Sequence, residues 1–205
     1  VVCNGAALYD FQTESYLDTL ELPESIRPQV QAVLDQFPSA AVEAYHLDNV
    51  IHAVRPNALT RQHQHVTHAG VEAVESLLEV PMPLVKVMFE DEPQNLLPLW
   101  DHVRRQPWAA DYEIFFSDKA LLEVTRKGAS KGAMVARLAE RLGISREHIY
   151  CAGDENNDIS MLTMAAQGFA PANCVENVKN CGAAIVADCD HDTLAEIVAI
   201  LDKRY

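Results

Sequence analysis

The chain is short of positive charge, of paired cysteines and of long apolar runs, and each shortage removes a class of function. Lys and Arg number 16 against 30 Asp and Glu, which leaves a formal charge of −14 over 205 residues. A surface that negative repels phosphate backbones and anionic lipid, so neither nucleic acid nor a membrane surface is an expected partner. An anionic substrate would need a local cation or a metal to overcome the global field. No stretch of about 18 apolar residues exists, so no transmembrane helix is expected. No basic segment running into an apolar stretch and a cleavage site opens the chain, and no secretory signal is expected. The five cysteines (Cys3, Cys151, Cys174, Cys181 and Cys189) are odd in number and lack C-x-x-C spacing. Reduced, mostly buried thiols in a cytoplasmic protein are the expectation. There is no internal repeat and no low-complexity tract.

What remains is an ordinary globular balance, 49% apolar and 22% charged, in a length that suits one large domain or two small ones. Val1-Val2-Cys3 reads as a strand fragment running into the Asn4-Gly5 turn, and a start inside a strand hints at a missing N-terminal portion. Pro23 and Glu24 open a helix carrying Ile26, Val30, Val33 and Leu34 at helical spacing. Strands at Val42–Tyr45 and Val50–Val54 flank a turn at Leu47-Asp48-Asn49. The spacing of Val71, Val74, Leu77 and Leu78 predicts a helix over Thr67–Leu78. A strand at Leu84–Phe89, a helix at Pro93–Arg105 and strands at Tyr112–Phe116 and Leu121–Thr125 complete a compact α+β unit.

From Ser130 onward strand and helix alternate with short links. Helix Ser130–Leu142 ends at Gly143, followed by strand Ile149–Ala152 and a helix from Asp158 to Ala166. Strand Phe169–Ala170, a short helix at Val175–Lys179, strand Ala184–Ala187 and helix Thr193–Leu201 follow, the last with Leu194, Ile197, Val198 and Leu201 on one face. That rhythm predicts an α/β fold with a Rossmann-like, doubly wound parallel sheet.

Chemistry concentrates at Gly153-Asp154-Glu155-Asn156-Asn157-Asp158. An apolar strand ends, glycine permits a sharp turn, and Asp154 stands at the strand's C-terminal end, where ligands bind in open α/β sheets. Three carboxylates so close repel one another, and a hard cation among them relieves that cost; oxygen ligands suit Mg²⁺. Helix capping by Asn157 or Asp158, with the rest solvated, accounts for the same residues. Lys131 stands in the first turn of a helix capped by Ser130, where the macrodipole disfavours a cation. An anion lodged there explains the lysine, and so does a solvated surface position.

Together these segments resemble a known family. Ala129-Ser130-Lys131-Gly132, about twenty residues before Ala152-Gly153-Asp154 and its continuation to Leu162, resembles the third and fourth motifs of Cof-type haloacid dehalogenase phosphatases. Ala172-Asn173 and Ala183–Asp192 resemble that family's closing elements, and Asn4-Gly5-Ala6 the turn before its inserted cap. The resemblance implies a haloacid dehalogenase core over residues 1–11 and 125–205, with an inserted α/β cap of the IIB type over 12–124. It implies Mg²⁺-dependent hydrolysis of a small phosphorylated metabolite, by default a sugar phosphate. Lys131 would hold the transferring phosphoryl group, Asp154 and Glu155 the metal, Asn157 and Asn4 the phosphate, while Asp158 would orient Lys131 or the metal waters.

The family's nucleophile sits in an Asp-x-Asp-Gly-Thr run, which attacks phosphorus to give an aspartyl-phosphate. No such run precedes Asn4, and Asp188-Cys189-Asp190-His191-Asp192-Thr193 reads instead as a loop and N-cap. The chain alone is therefore expected to be inactive, its nucleophile lying outside it. A non-catalytic phosphate-binding module and a phosphosugar mutase of the same fold are the alternatives. His63, His65 and His68 read as polar surface at a helix start, with a substrate-facing role as the alternative and a metal role disfavoured because no carboxylate or cysteine accompanies them.

Overall fold

The computed structural model describes residues 1–48 and 50–204, so the turn residue Asn49 lies outside the described residues. The chain divides into two compact units. Val1, Cys3–Gly5 and the chain from Ser130 onward form one; Val2 and Ala6–Ala129 form the other. The sequence reading placed the joints near Phe11 and Val124.

The larger unit begins with a hairpin the sequence did not announce, β1 (Ala7–Asp10) against β2 (Ser15–Thr19). Before it, Val2 makes a single bridge to Ala7, and Cys3–Gly5 is one 3-10 turn rather than a strand. The reason is local: Cys3 and Asn4 both adopt positive φ, 49° and 52°, which an extended strand does not allow. Helix α1 (Ile26–Leu34) is followed by β3 (Ala41–Tyr45), β4 (Val50–Val54), α2 (Ala58–Thr67), β5 (Gly70–Val74), β6 (Lys86–Glu90), α3 (Pro93–Val103), β7 (Tyr112–Asp118) and β8 (Leu121–Arg126). The strands form one six-stranded sheet in the order β5-β4-β3-β6-β8-β7, antiparallel except for the β4–β5 pair.

Period-two alternation gives this sheet two different faces. Val42, Ala44, Val87, Phe89, Leu122 and Val124 enter a core with Ile26, Val30 and Leu34 of α1 and Leu96, Leu99 and Val103 of α3. Full burial of each large member contributes roughly 1.5–3 kcal/mol. The intervening positions Glu43, Lys86, Glu90 and Glu123 project to the other face and are buried as well.

The helix predicted over Thr67–Leu78 is a correction. Asn57 starts α2 ten residues earlier: its side chain accepts from Leu59 N (2.8 Å) and Thr60 N (3.1 Å), and Thr60 Oγ1 accepts from Asn57 N (3.2 Å). His68 ends the helix at φ 54°. Val71 and Val74 then pair with Ile51 and Val54 in β5, while Leu77 belongs to a 3-10 turn. A three-residue apolar spacing produced by a strand and the turn after it imitates a helix.

The smaller unit contains α4 (Lys131–Leu142), β9 (Tyr150–Ala152), α5 (Ile159–Met164), β10 (Gln167–Pro171), α6 (Glu176–Lys179), β11 (Ala184–Val186) and α7 (Thr193–Leu201). Its three strands are parallel, in the order β11-β10-β9. Cys151 and Ala170 face Ala139 of α4 and Leu162 of α5, whereas Tyr150, Phe169 and Val186 face Ile197 and Leu201 of α7. Helices thus cover both faces, the doubly wound arrangement. In α7 only part of the expected face is used: Leu194 and Val198 are 71% and 55% exposed. Of the five thiols only Cys174 is buried; Cys189 is exposed and the other three are half-buried, against the expectation of mostly buried thiols. No helix among the described residues is long and apolar enough to cross a membrane.

Candidate functional site

Strand β9 is tied at its end by Gly153 N, which donates to Phe169 O of β10 (3.1 Å). The chain then turns into the 3-10 segment Asn156–Asp158, and Asp158 closes the turn from inside. This carboxylate is only 4% exposed. Its Oδ2 accepts from Asp154 N (3.0 Å) and Glu155 N (3.1 Å), and its Oδ1 accepts from Lys131 Nζ (2.5 Å). Both oxygens of a buried carboxylate are therefore engaged, one by backbone dipoles and one by a charge. Gly153 is required beside it, since a Cβ there would stand 2.4 Å from Asp158 Cβ.

A second close approach sets Lys131. The residue opens α4 behind the N-cap Ser130, whose Oγ accepts from Ala133 N (3.2 Å). Gly132 N donates to Ser160 Oγ (3.0 Å), and a Cβ on Gly132 would meet Ser160 O at 2.2 Å. The head of α4 thus lies backbone to backbone against α5. That contact brings Lys131 over Asp158 although 27 positions separate them.

Asp154 contrasts with Asp158. It is exposed, and its carboxylate makes no hydrogen bond or ion pair among the described residues, although its backbone is held by Val175 N donating to Asp154 O (3.0 Å). It lines a cavity of about 500 Å³ with Ala152, Gly153, Pro171, Asp190 and Thr193. Asp154 and the half-buried Glu155 offer only carboxylate oxygens, a donor set that fits a hard cation keeping most of its waters. Asn157 Nδ2 donates to Asn4 Oδ1 (3.3 Å), while Asn157 Oδ1 is buried without a hydrogen-bond partner among the described residues. The structure therefore brings Lys131 to Asp158 and Asn157 to Asn4, and leaves Asp154 with a free carboxylate at the strand end.

The segment Asp188–Asp192 is a loop, but Asp192 does not cap α7 with its side chain. It takes φ 58°, and Thr193 Oγ1 instead donates to Ala187 O (2.9 Å) and Asp188 O (2.7 Å). His191 beside Asp188 (2.5 Å) holds that carboxyl below its usual range.

The larger unit holds a cluster that sequence reasoning missed. His63 lies in the body of α2 and His68 at its C-cap, not at a helix start. His63 Nδ1 is 2.9 Å from Glu43 Oε2 and 3.6 Å from Glu90 Oε1. Tyr45 OH donates to Glu43 Oε2 (2.5 Å), and Lys86 Nζ is 3.3 Å from Glu123 Oε2. Burial first, then the Glu43 charge, pushes the Glu90 carboxyl up to about 7, against the weaker pull of Thr60, His63 and Lys86. The hydrogen bond to Glu43 raises His63 despite its partial burial, and burial with the nearby carboxylates pushes the Tyr45 phenol up. The carboxylates that accompany His63 come from strands 20 and 27 positions away. The available signal was a glutamate set inside an apolar strand, as in Val42-Glu43-Ala44.

A sequence model of the haloacid dehalogenase-like hydrolases matches residues 1–198. The chain is 25% identical to the pyridoxal phosphate phosphatase YbhA of Escherichia coli, covering 97% of this chain and 75% of that protein. It is 28% identical to the phosphatase YwpJ of Bacillus subtilis, covering 86% and 60%. Against YxeH of the same species it is 35% identical over 102 residues, 49% of this chain and 37% of that protein. The chain thus spans only part of the length of the curated relatives it matches. Among solved structures, a haloacid dehalogenase-like hydrolase from Bacteroides thetaiotaomicron has a TM-score of 0.81 at 21% identity, covering 97% of this chain and 74% of that one. The subclass IIB sugar phosphatase BT4131 gives 0.83 at 21% identity with the same coverage. The fold is theirs, and by its sequence the chain belongs to the family of haloacid dehalogenase-like hydrolases.

Proposed function

We propose that the protein is a Mg²⁺-dependent phosphomonoesterase of the cytoplasm, acting on a small phosphorylated metabolite, in the first instance a sugar phosphate. The observation that carries this reading is the pairing of Lys131 with the buried Asp158 beside the unpaired carboxylate of Asp154. An ammonium held at a helix head, next to open carboxylate oxygens at a strand's C-terminal end, is a seat for a phosphoryl group and its counter-ion. Family membership supports it, as do the relatives named for dephosphorylating pyridoxal phosphate and for phosphatase activity.

In this reading Lys131 binds the phosphoryl oxygens, and Asp158 fixes the ammonium so that no reorganisation is needed as charge develops. Asp154 and Glu155 would hold the metal, which when bound supplies charge neutralisation at the phosphoryl group. Asn157 and Asn4 present amide groups to the phosphate. Asp158 is fully engaged by its three donors, so it is not the nucleophile; that role falls to a carboxylate outside this constellation. The test is phosphate release from a panel of sugar phosphates and pyridoxal phosphate by the protein expressed from its whole coding sequence, with Mg²⁺ and with EDTA. Release that requires Mg²⁺ supports the reading, and no release from any member rejects it.

A further inference from the structure

The buried polar face of the six-stranded sheet gathers more carboxylates than permanent cations. Glu43 and Glu90 are 0% exposed and Glu123 is 2% exposed, against one ammonium, Lys86, which is already paired with Glu123. Among the described residues neither oxygen of Glu90 has a hydrogen-bond partner, and Glu43 Oε1 lacks one too. The nearby Thr60 hydroxyl donates to Asn57 Oδ1 instead (3.3 Å). Buried carboxylate oxygens without donors cost several kcal/mol unless a proton or another cation meets them.

From this geometry we infer that Glu43, His63 and Glu90 form a binding site for a first-row divalent ion of the zinc type, in the larger unit and separate from Asp154. One nitrogen and two carboxylate oxygens, all within 4.8 Å of one another, already converge there. A tetrahedral ion with bonds of about 2.1 Å holds its ligand atoms about 3.4 Å apart. The observed separations from His63 Nδ1, 2.9 Å to Glu43 and 3.6 Å to Glu90, bracket that spacing. An imidazole with two carboxylates selects zinc-like ions over Mg²⁺, which prefers oxygen alone. Tyr45, donating to Glu43 Oε2, fixes the orientation of that ligand. The His63 side chain is 22% exposed, which leaves an approach from solvent.

The inference stands apart from the phosphatase reading, and its test does not use turnover. The metal-free full chain is titrated with Zn²⁺ alone by calorimetry, and with Co²⁺ followed by its visible d–d absorption. One tightly bound ion per chain is expected at this site, distinct from weaker uptake at Asp154 and Glu155, with Co²⁺ bands that Zn²⁺ abolishes. Binding should weaken at least 100-fold in His63→Gln and in Glu90→Gln, the first at a partly exposed helix position and the second isosteric, so that both keep the fold by circular dichroism. Asp154→Asn should keep this tight Zn²⁺ binding. Absence of binding, binding unaffected by the two substitutions, or binding lost in Asp154→Asn would each overturn the inference.

Discussion

Lys131 Nζ donates to Asp158 Oδ1 at 2.5 Å, while the other oxygen of that carboxylate holds the amides of Asp154 and Glu155. One buried side chain therefore sets both the cation and the turn that presents Asp154. Asp158→Ala would leave an ammonium and two N–H groups unsatisfied and should cost about 2–4 kcal/mol. Hydrogen exchange at the Asp154 and Glu155 amides checks this: exchange should accelerate in the variant, and unchanged protection would show that the carboxylate does not hold the turn.

Gly132→Ala tests the contact that positions Lys131. Alanine is the better helix former by about 1 kcal/mol, so helix propensity alone predicts a gain. The added Cβ would meet Ser160 O at 2.2 Å, forcing α4 away from α5. The variant should melt several degrees lower; a higher melting temperature would contradict the backbone-to-backbone packing.

The Glu43–His63–Glu90 cluster predicts a pH dependence in metal-free protein. Glu90 is raised from 4.5 to about 7, so the folded state holds this proton more tightly than the unfolded state. Its contribution is fully present below 4.5 and is lost as pH rises through about 7. His63 is also raised, and its contribution is likewise lost as pH rises through its folded value. Glu90→Gln should therefore be more stable than the unaltered chain at pH 8, by roughly 1–3 kcal/mol, and nearly equal to it near pH 4.5. Urea denaturation followed by fluorescence of Trp100, which packs against the core of this unit, reads the difference. A smaller stability for the variant at pH 8 would reverse the sign and reject the cause given.

Asn57→Ala removes the side chain that starts α2 and should cost about 1–2 kcal/mol in the same denaturation experiment. Because His63 rides on that helix, the variant should also weaken Zn²⁺ binding. A loss below a few tenths of a kcal/mol would show that packing, not the cap, fixes where α2 begins.

Legibility in the sequence followed the range of the interactions. Helices α1, α3, α4 and α7 were readable because apolar spacing and caps such as Ser130 and Gly143 are local. Strand β5 was not, because its identity comes from pairing with β4, and Val71 and Val74 carry no local sign of that. The hairpin β1–β2 was missed where Tyr9, Phe11 and Tyr16 pack edge to edge without a strong turn signal. At the site, the run Gly153–Asp158 was visible as a dense polar interruption after an apolar strand, whereas the division of labour between Asp154 and Asp158 came from the family resemblance and not from the spacing. That division depends on Lys131 arriving from another helix. The cluster at His63 was invisible for the same reason, its carboxylates being supplied by two distant strands.

The most direct test of the central claim is phosphate release by Asp154→Asn beside the unaltered protein, both expressed from the whole coding sequence and assayed with saturating Mg²⁺. The carboxylate of Asp154 makes no hydrogen bond or ion pair among the described residues, so the substitution should leave melting behaviour unchanged. Turnover should fall by about 10³-fold. Undiminished turnover in the folded variant would contradict the account.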